Sequence, residues 1–211
     1  MARTGCLDTA HRGRPSAQQS AQIGERILAA AWAVLMDQGP ELFSIERVAL
    51  AAQASKQTIY ARYAGKLPLL EALLTARMGL IFAEMRELIE AVQVETAFAD
   101  QARRAVEAMV APTSRMLDRL VDWIDANSAN ASASPTRAAL YHDSLALISE
   151  QLQAATRRWN IVIADIPGAA GFWLDGLFGH ARGLPSGDLQ CAEWPLRYAR
   201  YFLRAVAGNA D

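Results

Sequence analysis

From Ile23 onward the apolar residues of this chain return every three or four positions, and several of the runs stop at a glycine or a proline. That period belongs to helices with one buried face, because a strand buries alternate residues. Ile23, Ile27, Ala31, Val34 and Leu35 form one stripe, which ends at the helix-stopping dipeptide Gly39-Pro40. Ser44 is a favoured N-cap for a short second helix that buries Ile45, Val48, Ala49 and Ala52. Ser55 is the N-cap of a third, with Ile59, Tyr60 and Tyr63 on its inner side. Two brief helices joined by a tight turn make a helix-turn-helix. A long fourth helix is predicted from Lys66 to about Val94, and Pro68 fits its first turn, where no intrahelical N–H bond is lost. Further helices are predicted over about 97–111, 113–126, 135–159, 167–183 and 194–208, with a low-complexity loop at 127–134. No run alternates long enough for a sheet, and 161–164 is too short and isolated. The sequence predicts an all-α chain of about nine helices without internal repeats.

The 211 residues are enough for one large or two small domains, and a composition of 52% hydrophobic and 20% charged residues is that of a folded protein. Residues 1–20, rich in Gly, Pro, Ser, Gln and Arg, lack apolar periodicity and are expected to form a flexible basic arm. No apolar run approaches the length of a membrane span, and no apolar segment follows Met1, so neither a membrane protein nor an exported one is expected. Two cysteines, Cys6 and Cys191, far apart in the chain, are expected to be free thiols in the reducing cytoplasm. The net charge of −1 hides an asymmetry. Through Lys66 there are eight basic and five acidic residues, leaving −4 for the remainder, and the only two lysines, Lys56 and Lys66, close the basic third. Such a division is a weak pointer to an anion-binding module joined to a different one.

The stretch Ser44-Ile45-Glu46-Arg47-Val48-Ala49, followed by Ala52-Gln53-Ala54-Ser55-Lys56-Gln57-Thr58-Ile59-Tyr60-Ala61-Arg62-Tyr63-Ala64-Gly65-Lys66, resembles the signature of the tetracycline-repressor (TetR) family of bacterial regulators. The resemblance runs over about residues 23–74. It implies an N-terminal DNA-binding domain, expected over 21–66, and a divergent helical domain over 67–211 that binds an inducer and dimerises. It also implies phosphate contacts from Tyr60 and Lys66 and a core role for Tyr63. One position departs from the family pattern: Gln53 stands where glycine is usual in the turn. A left-handed backbone there would cost about 1 kcal/mol, so a slightly altered turn is expected.

A recognition helix reads the major groove with its N-terminal residues, here Lys56, Gln57 and Thr58. Gln57 suits adenine, the Thr58 methyl suits thymine, and Lys56 suits a guanine edge or a phosphate. Ser44 and Ser55 offer hydroxyls at helix starts, while Tyr60, Arg62 and Lys66 extend a backbone clamp on double-stranded DNA. Alone, either lysine would be an ordinary solvated side chain and Ser55 merely a cap. Arg12-Gly13-Arg14-Pro15 resembles a minor-groove motif; a basic leader without contacts is the equal alternative.

The last helix is apolar on two faces and the preceding one is rich in glycine, so both are expected to meet a second copy. The candidate homodimer residues are Phe172, Trp173, Gly176, Leu177, Trp194, Tyr198, Tyr201 and Phe202, with close helix approach compensating the glycines; two core helices of a monomer are the alternative. Phe98, Met109, Met116, Trp123, Tyr141, His142 and Trp159 are candidates for a small-molecule effector pocket, or simply core. No metal-ligand spacing, phosphate loop or catalytic cluster is present, so neither enzyme activity nor a cofactor or metal is expected. The reading is a repressor released by a largely apolar effector, which tilts the fourth helix. Its rival is a helix-turn-helix protein that binds a ligand or partner but no DNA.

Overall fold

The computed structural model describes residues 17–86, 93–128, 135–183 and 193–208. Among them nine helices follow in order: α1 (Ala17–Leu42), α2 (Ile45–Ala51), α3 (Lys56–Tyr60), α4 (Lys66–Arg86), α5 (Val94–Val110), α6 (Pro112–Asn127), α7 (Pro135–Trp159), α8 (Ile166–Gly183) and α9 (Trp194–Val206). The fold is all-α, as the periodicity predicts. The motif Arg12-Gly13-Arg14-Pro15, both cysteines and residues 129–134 of the expected loop lie outside the described residues.

Helix boundaries follow the local chemistry. Gly39 takes φ 74°, which breaks α1, yet one more helical turn runs through Pro40 to Leu42. At the other end, α1 begins at Ala17, so residues 17–20 are helical. Arg62 holds that first turn: its Nη2 donates to the Ser20 carbonyl at 2.6 Å and to Ser20 Oγ at 2.7 Å. Val94, predicted to end the fourth helix, instead opens α5, since Gln93 is extended (φ −111°, ψ 139°) and Glu95 suits a helix start. Pro112 does more than end α5. It forces Ala111 into an extended conformation and then serves as the first residue of α6.

The expectation of no strand needs one correction. Val162–Ile163 (β1) pairs antiparallel with Ala207–Gly208 (β2), Val162 opposite Gly208. Two residues carry no readable period, and the pairing ties the segment after α7 to the one after α9, a contact that no local pattern announces.

Two apolar cores organise the chain. The first gathers Ile27, Leu35, Phe43, Val48, Ile59, Leu69, Leu70 and Leu73 from α1 to α4, and is completed by Leu117, Leu120, Val121 and Ile124 of α6. The second joins α5, α7, α8 and α9 around Phe98, Leu152, Trp173 and Phe202. Trp173 lies edge-on to Phe98 (5.2 Å between ring centres) and against Phe202 (4.6 Å) and Tyr198 (4.8 Å). The buried polar side chains of Gln101, Asp125 and Gln151 are matched. Asp125 of α6 accepts from the Thr136 N–H at 3.0 Å and thus caps α7, and Gln101 donates to Gln151, which donates in turn to the Met85 carbonyl of α4 at 2.7 Å.

Candidate nucleic-acid interface

The helix-turn-helix is set by two serine caps. Ser44 Oγ accepts from the Arg47 N–H at 3.3 Å and Ser55 Oγ from the Thr58 N–H at 3.0 Å, so each short helix starts where its cap satisfies a backbone donor. Ser55 and Thr58 also share a 2.8 Å hydroxyl contact. Between the helices Gln53 adopts φ 49°. The turn expected to alter is therefore kept left-handed without glycine, because α2 and α3 are each fixed by buried residues (Val48, Ala49 and Ala52 against Ile59) that leave the connection no other path.

This frame leaves Ser55, Lys56, Gln57 and Tyr60 exposed and Thr58 half-buried, with Ile59 facing inward. Tyr60, predicted on the inner side of α3, points outward instead. Ser55, Gln57, Thr58, Ala61 and Arg62 border an open depression of about 440 Å³ with Ser20 and Ile23 of α1. Three predicted cations, Lys56, Arg62 and Lys66, are engaged within the chain. Lys56 Nζ lies 2.7 Å from Glu46 Oε1, a pairing that raises the Lys56 pKa and lowers that of Glu46. Arg62 bonds Ser20. Lys66 donates to the Glu41 carbonyl at 3.1 Å and sits 4.5 Å from the Trp123 ring centre, and its partial burial pushes its pKa down. Tyr63 packs on the first core, and burial raises its phenol pKa.

Sequence reasoning misses four residues here. Glu46 precedes Lys56 by ten positions and only the turn brings them together. Glu41 and Arg119 pair at 2.7 Å between the end of α1 and α6, a contact with no local signal. Arg47 could have been found from its place beside Ser44: it is exposed on α2 and pairs with no carboxylate among the described residues.

Residues 27–73 match the model of the family described as bacterial regulatory proteins, tetR family. The helix-turn-helix lies within that match. Similar architectures extend over almost the whole chain. A Mesorhizobium loti protein assigned to the TetR-family transcriptional regulators matches with a TM-score of 0.70 at 22% identity, covering 90% of this chain and 99% of its own. A TetR-family transcriptional regulator from Pectobacterium atrosepticum gives 0.63 at 18%, covering 92% and 98%. The transcriptional regulator FadR from Bacillus subtilis, solved in complex with stearoyl-CoA, gives 0.57 at 15%, covering 89% and 99%. At these identities the likeness establishes the fold. No curated protein sequence matches the chain.

Outside the matched residues the effector and dimer candidates are spread over both cores and the surface. The seven effector candidates do not converge. Phe98 is buried in the second core and Met109 packs against it, whereas Met116 and Trp123 belong with the first. Tyr141 is exposed and donates to Asp175 at 3.0 Å, and the exposed His142 ring contacts the Ala138 carbonyl at 2.7 Å. Trp159 borders an open cavity of about 530 Å³ with Gln93, Val94, Glu95, Thr96, Leu196 and Arg200. Among the dimer candidates, Trp173, Leu177, Trp194 and Phe202 are buried within one chain, while Phe172 (53%) and Tyr201 (68%) stay exposed. Gly176 answers to its own chain: a Cβ there would collide with Tyr198 Oη, which donates to the Trp173 carbonyl at 2.8 Å. Among the described residues no helix is long and apolar enough to cross a membrane, and no group of three or more His, Cys, Asp or Glu is placed to hold a metal ion.

Proposed function

We propose that the protein is a DNA-binding transcriptional repressor of the cytoplasm, acting as a homodimer on a palindromic operator and released by a small, largely apolar effector. The observation that carries this reading is the exposed N-terminal edge of α3, where Lys56, Gln57 and Thr58 project from a turn held by two caps, on a domain of a regulatory family. Lysine, glutamine and threonine together supply donors, an acceptor and a methyl group, the repertoire needed to read base edges. One such module contacts too little duplex for tight specific binding, which favours a two-fold pair on two half-sites. The exposed Phe172, Phe178, Leu196 and Tyr201 of α8 and α9 supply apolar surface for that pairing.

In this reading residues 21–66 contact DNA, with residues 17–20 joined to them through α1, and residues 67–211 bind the effector and dimerise. The division is one of roles, since α6 completes the core beneath the reading helices. Glu41–Arg119 and Lys66–Trp123 therefore give the effector region a hold on the DNA-binding module besides α4. An acyl-chain ligand in the similarly folded Bacillus subtilis FadR supports an apolar class of effector.

Fluorescence anisotropy with duplexes from the DNA flanking the protein's own gene tests the reading. Saturable binding is expected, with affinity falling as salt rises by about 0.9 log units per log unit of salt for each neutralised phosphate. Lys56→Ala with Tyr60→Ala should weaken binding at least about a hundredfold while thermal unfolding and dimer mass stay unchanged. Equal binding by the double variant, or no saturable binding at low salt, overturns it.

A further inference from the structure

Glu46 is an acidic residue on the very surface where a DNA-binding protein gains least from one. Its carboxylate meets Lys56 Nζ at 2.7 Å, and both side chains remain more than half exposed (58% and 54%). Water and salt screen such a pair, so it adds little to the stability of the module. Its consequence lies in what the surface presents. Lys56 is the first residue of α3, next to Gln57 and Thr58. A lysine kept there only for phosphate would be weakened by a carboxylate that cancels its charge and repels the DNA backbone. The arrangement becomes favourable when the carboxylate meets a donor of its own.

The major groove offers such a match. A carboxylate accepts from cytosine N4, and an ammonium donates to guanine O6 and N7. In a G·C pair the two acceptors of guanine lie together and the cytosine amino group lies beside them. In an A·T pair the adenine amino group separates the acceptors, so the ammonium reaches only one at a time. The Glu46–Lys56 pair holds an ammonium beside a carboxylate; both could engage adenine N7 and N6, but only a G·C pair gives the ammonium two adjacent acceptors while the carboxylate takes the cytosine amino hydrogen. We infer that Glu46 is a specificity-determining residue and that it reads, jointly with Lys56, one G·C pair in each half-site. This rests on the DNA-binding reading above. Glu46 also restrains non-specific binding, since it keeps Lys56 from acting as a free cation along any phosphate backbone.

Selection from a pool of random duplexes, with the full-length protein and its Glu46→Ala and Glu46→Gln variants, decides the matter. The wild type should select a fixed G·C pair at one position of each half-site. Both variants should lose roughly tenfold discrimination at that position alone and keep their preferences elsewhere. They should bind unselected duplex more tightly, and for Glu46→Ala the log–log salt slope should steepen by about 0.9 per protomer as Lys56 turns to phosphate. Thermal unfolding coincident with the wild type is expected for both, because the side chain is exposed, and Glu46→Gln preserves shape if the alanine variant proves less stable. Variants that select the same sequences with the same slope overturn this inference and leave DNA binding standing. A wild type that selects no sequence overturns the DNA-binding reading and this inference with it.

Discussion

The helix-turn-helix module and the α8–α9 region treat their conspicuous side chains in opposite ways. In the module, Ser44, Ser55 and Thr58 are fixed by bonds three residues apart, and Lys56, Gln57 and Tyr60 project into solvent. In α8 and α9, Trp173, Leu177, Trp194 and Phe202 are drawn inside by helices distant in sequence. Polar residues on short capped helices stay available because the core takes only one face of each, Ile45, Val48 and Ala49 of α2 and Ile59 of α3. Large aromatics on long helices are the densest apolar surface in the chain, and folding claims them first. Exposure of an aromatic on the second pair of helices is therefore more informative than its presence.

The largest effect should come from testing that contrast directly. Trp173 is fully buried among Phe98, Tyr198 and Phe202, so Trp173→Ala should cost about 3–5 kcal/mol in urea unfolding. Phe172, its exposed neighbour in sequence, touches Phe202 on one side only (6.0 Å between ring centres). Phe172→Ala should cost about 1 kcal/mol or less in the isolated chain while raising the concentration at which copies associate. Equal costs for the two at low protein concentration would break the comparison.

The same contrast explains what the sequence disclosed. Gly39-Pro40, Pro135 and Trp194-Pro195 placed helix ends because their effects are local, as are the two caps that make the helix-turn-helix legible. Met116 and Trp123 looked like companions of Phe98 and Tyr141, yet α6 turns them toward the first core. No spacing along α6 says which neighbour it will meet. Arg62 and Lys66 were recognised as cations, but their partners, Ser20 and the Glu41 carbonyl, are supplied by α1 far upstream. The β1–β2 pairing escaped for the same reason.

A middling effect should appear at the one place where local rules are strained. Gln53 holds φ 49° in the turn between α2 and α3. Gln53→Gly removes a cost of about 1 kcal/mol in the folded state but gives the unfolded chain more freedom, leaving a net gain of roughly 0.5 kcal/mol. Gln53→Ala, which keeps the strain, should give no gain. Paired thermal unfolding curves of the two variants sharpen the comparison, since a loss on Gln53→Gly would mean that long-range contacts of the glutamine, and not the backbone, fix the turn.

The smallest effect should be a pH dependence in the α8–α9 region. His180 stacks on Trp194 at 3.9 Å between ring centres, its Nε2 has no hydrogen-bond partner among the described residues, and burial lowers its pKa below the usual 6.5. The unfolded chain then takes up a proton as pH falls through 6.5 that the folded chain refuses, so stability declines with falling pH until the folded pKa is passed. One proton is the most that this site can contribute, which limits its slope to about 1.4 kcal/mol per pH unit. His180→Phe keeps an aromatic against Trp194 and removes the titration. Subtracting its unfolding free energies from those of the wild type at successive pH values cancels the carboxylates and isolates the histidine. A difference that grows steadily as the solution is acidified from about pH 7.5 to 5.5 is expected. A flat difference would mean that the imidazole titrates alike in both states, and that the space between α8 and α9 is wetter than the buried ring requires.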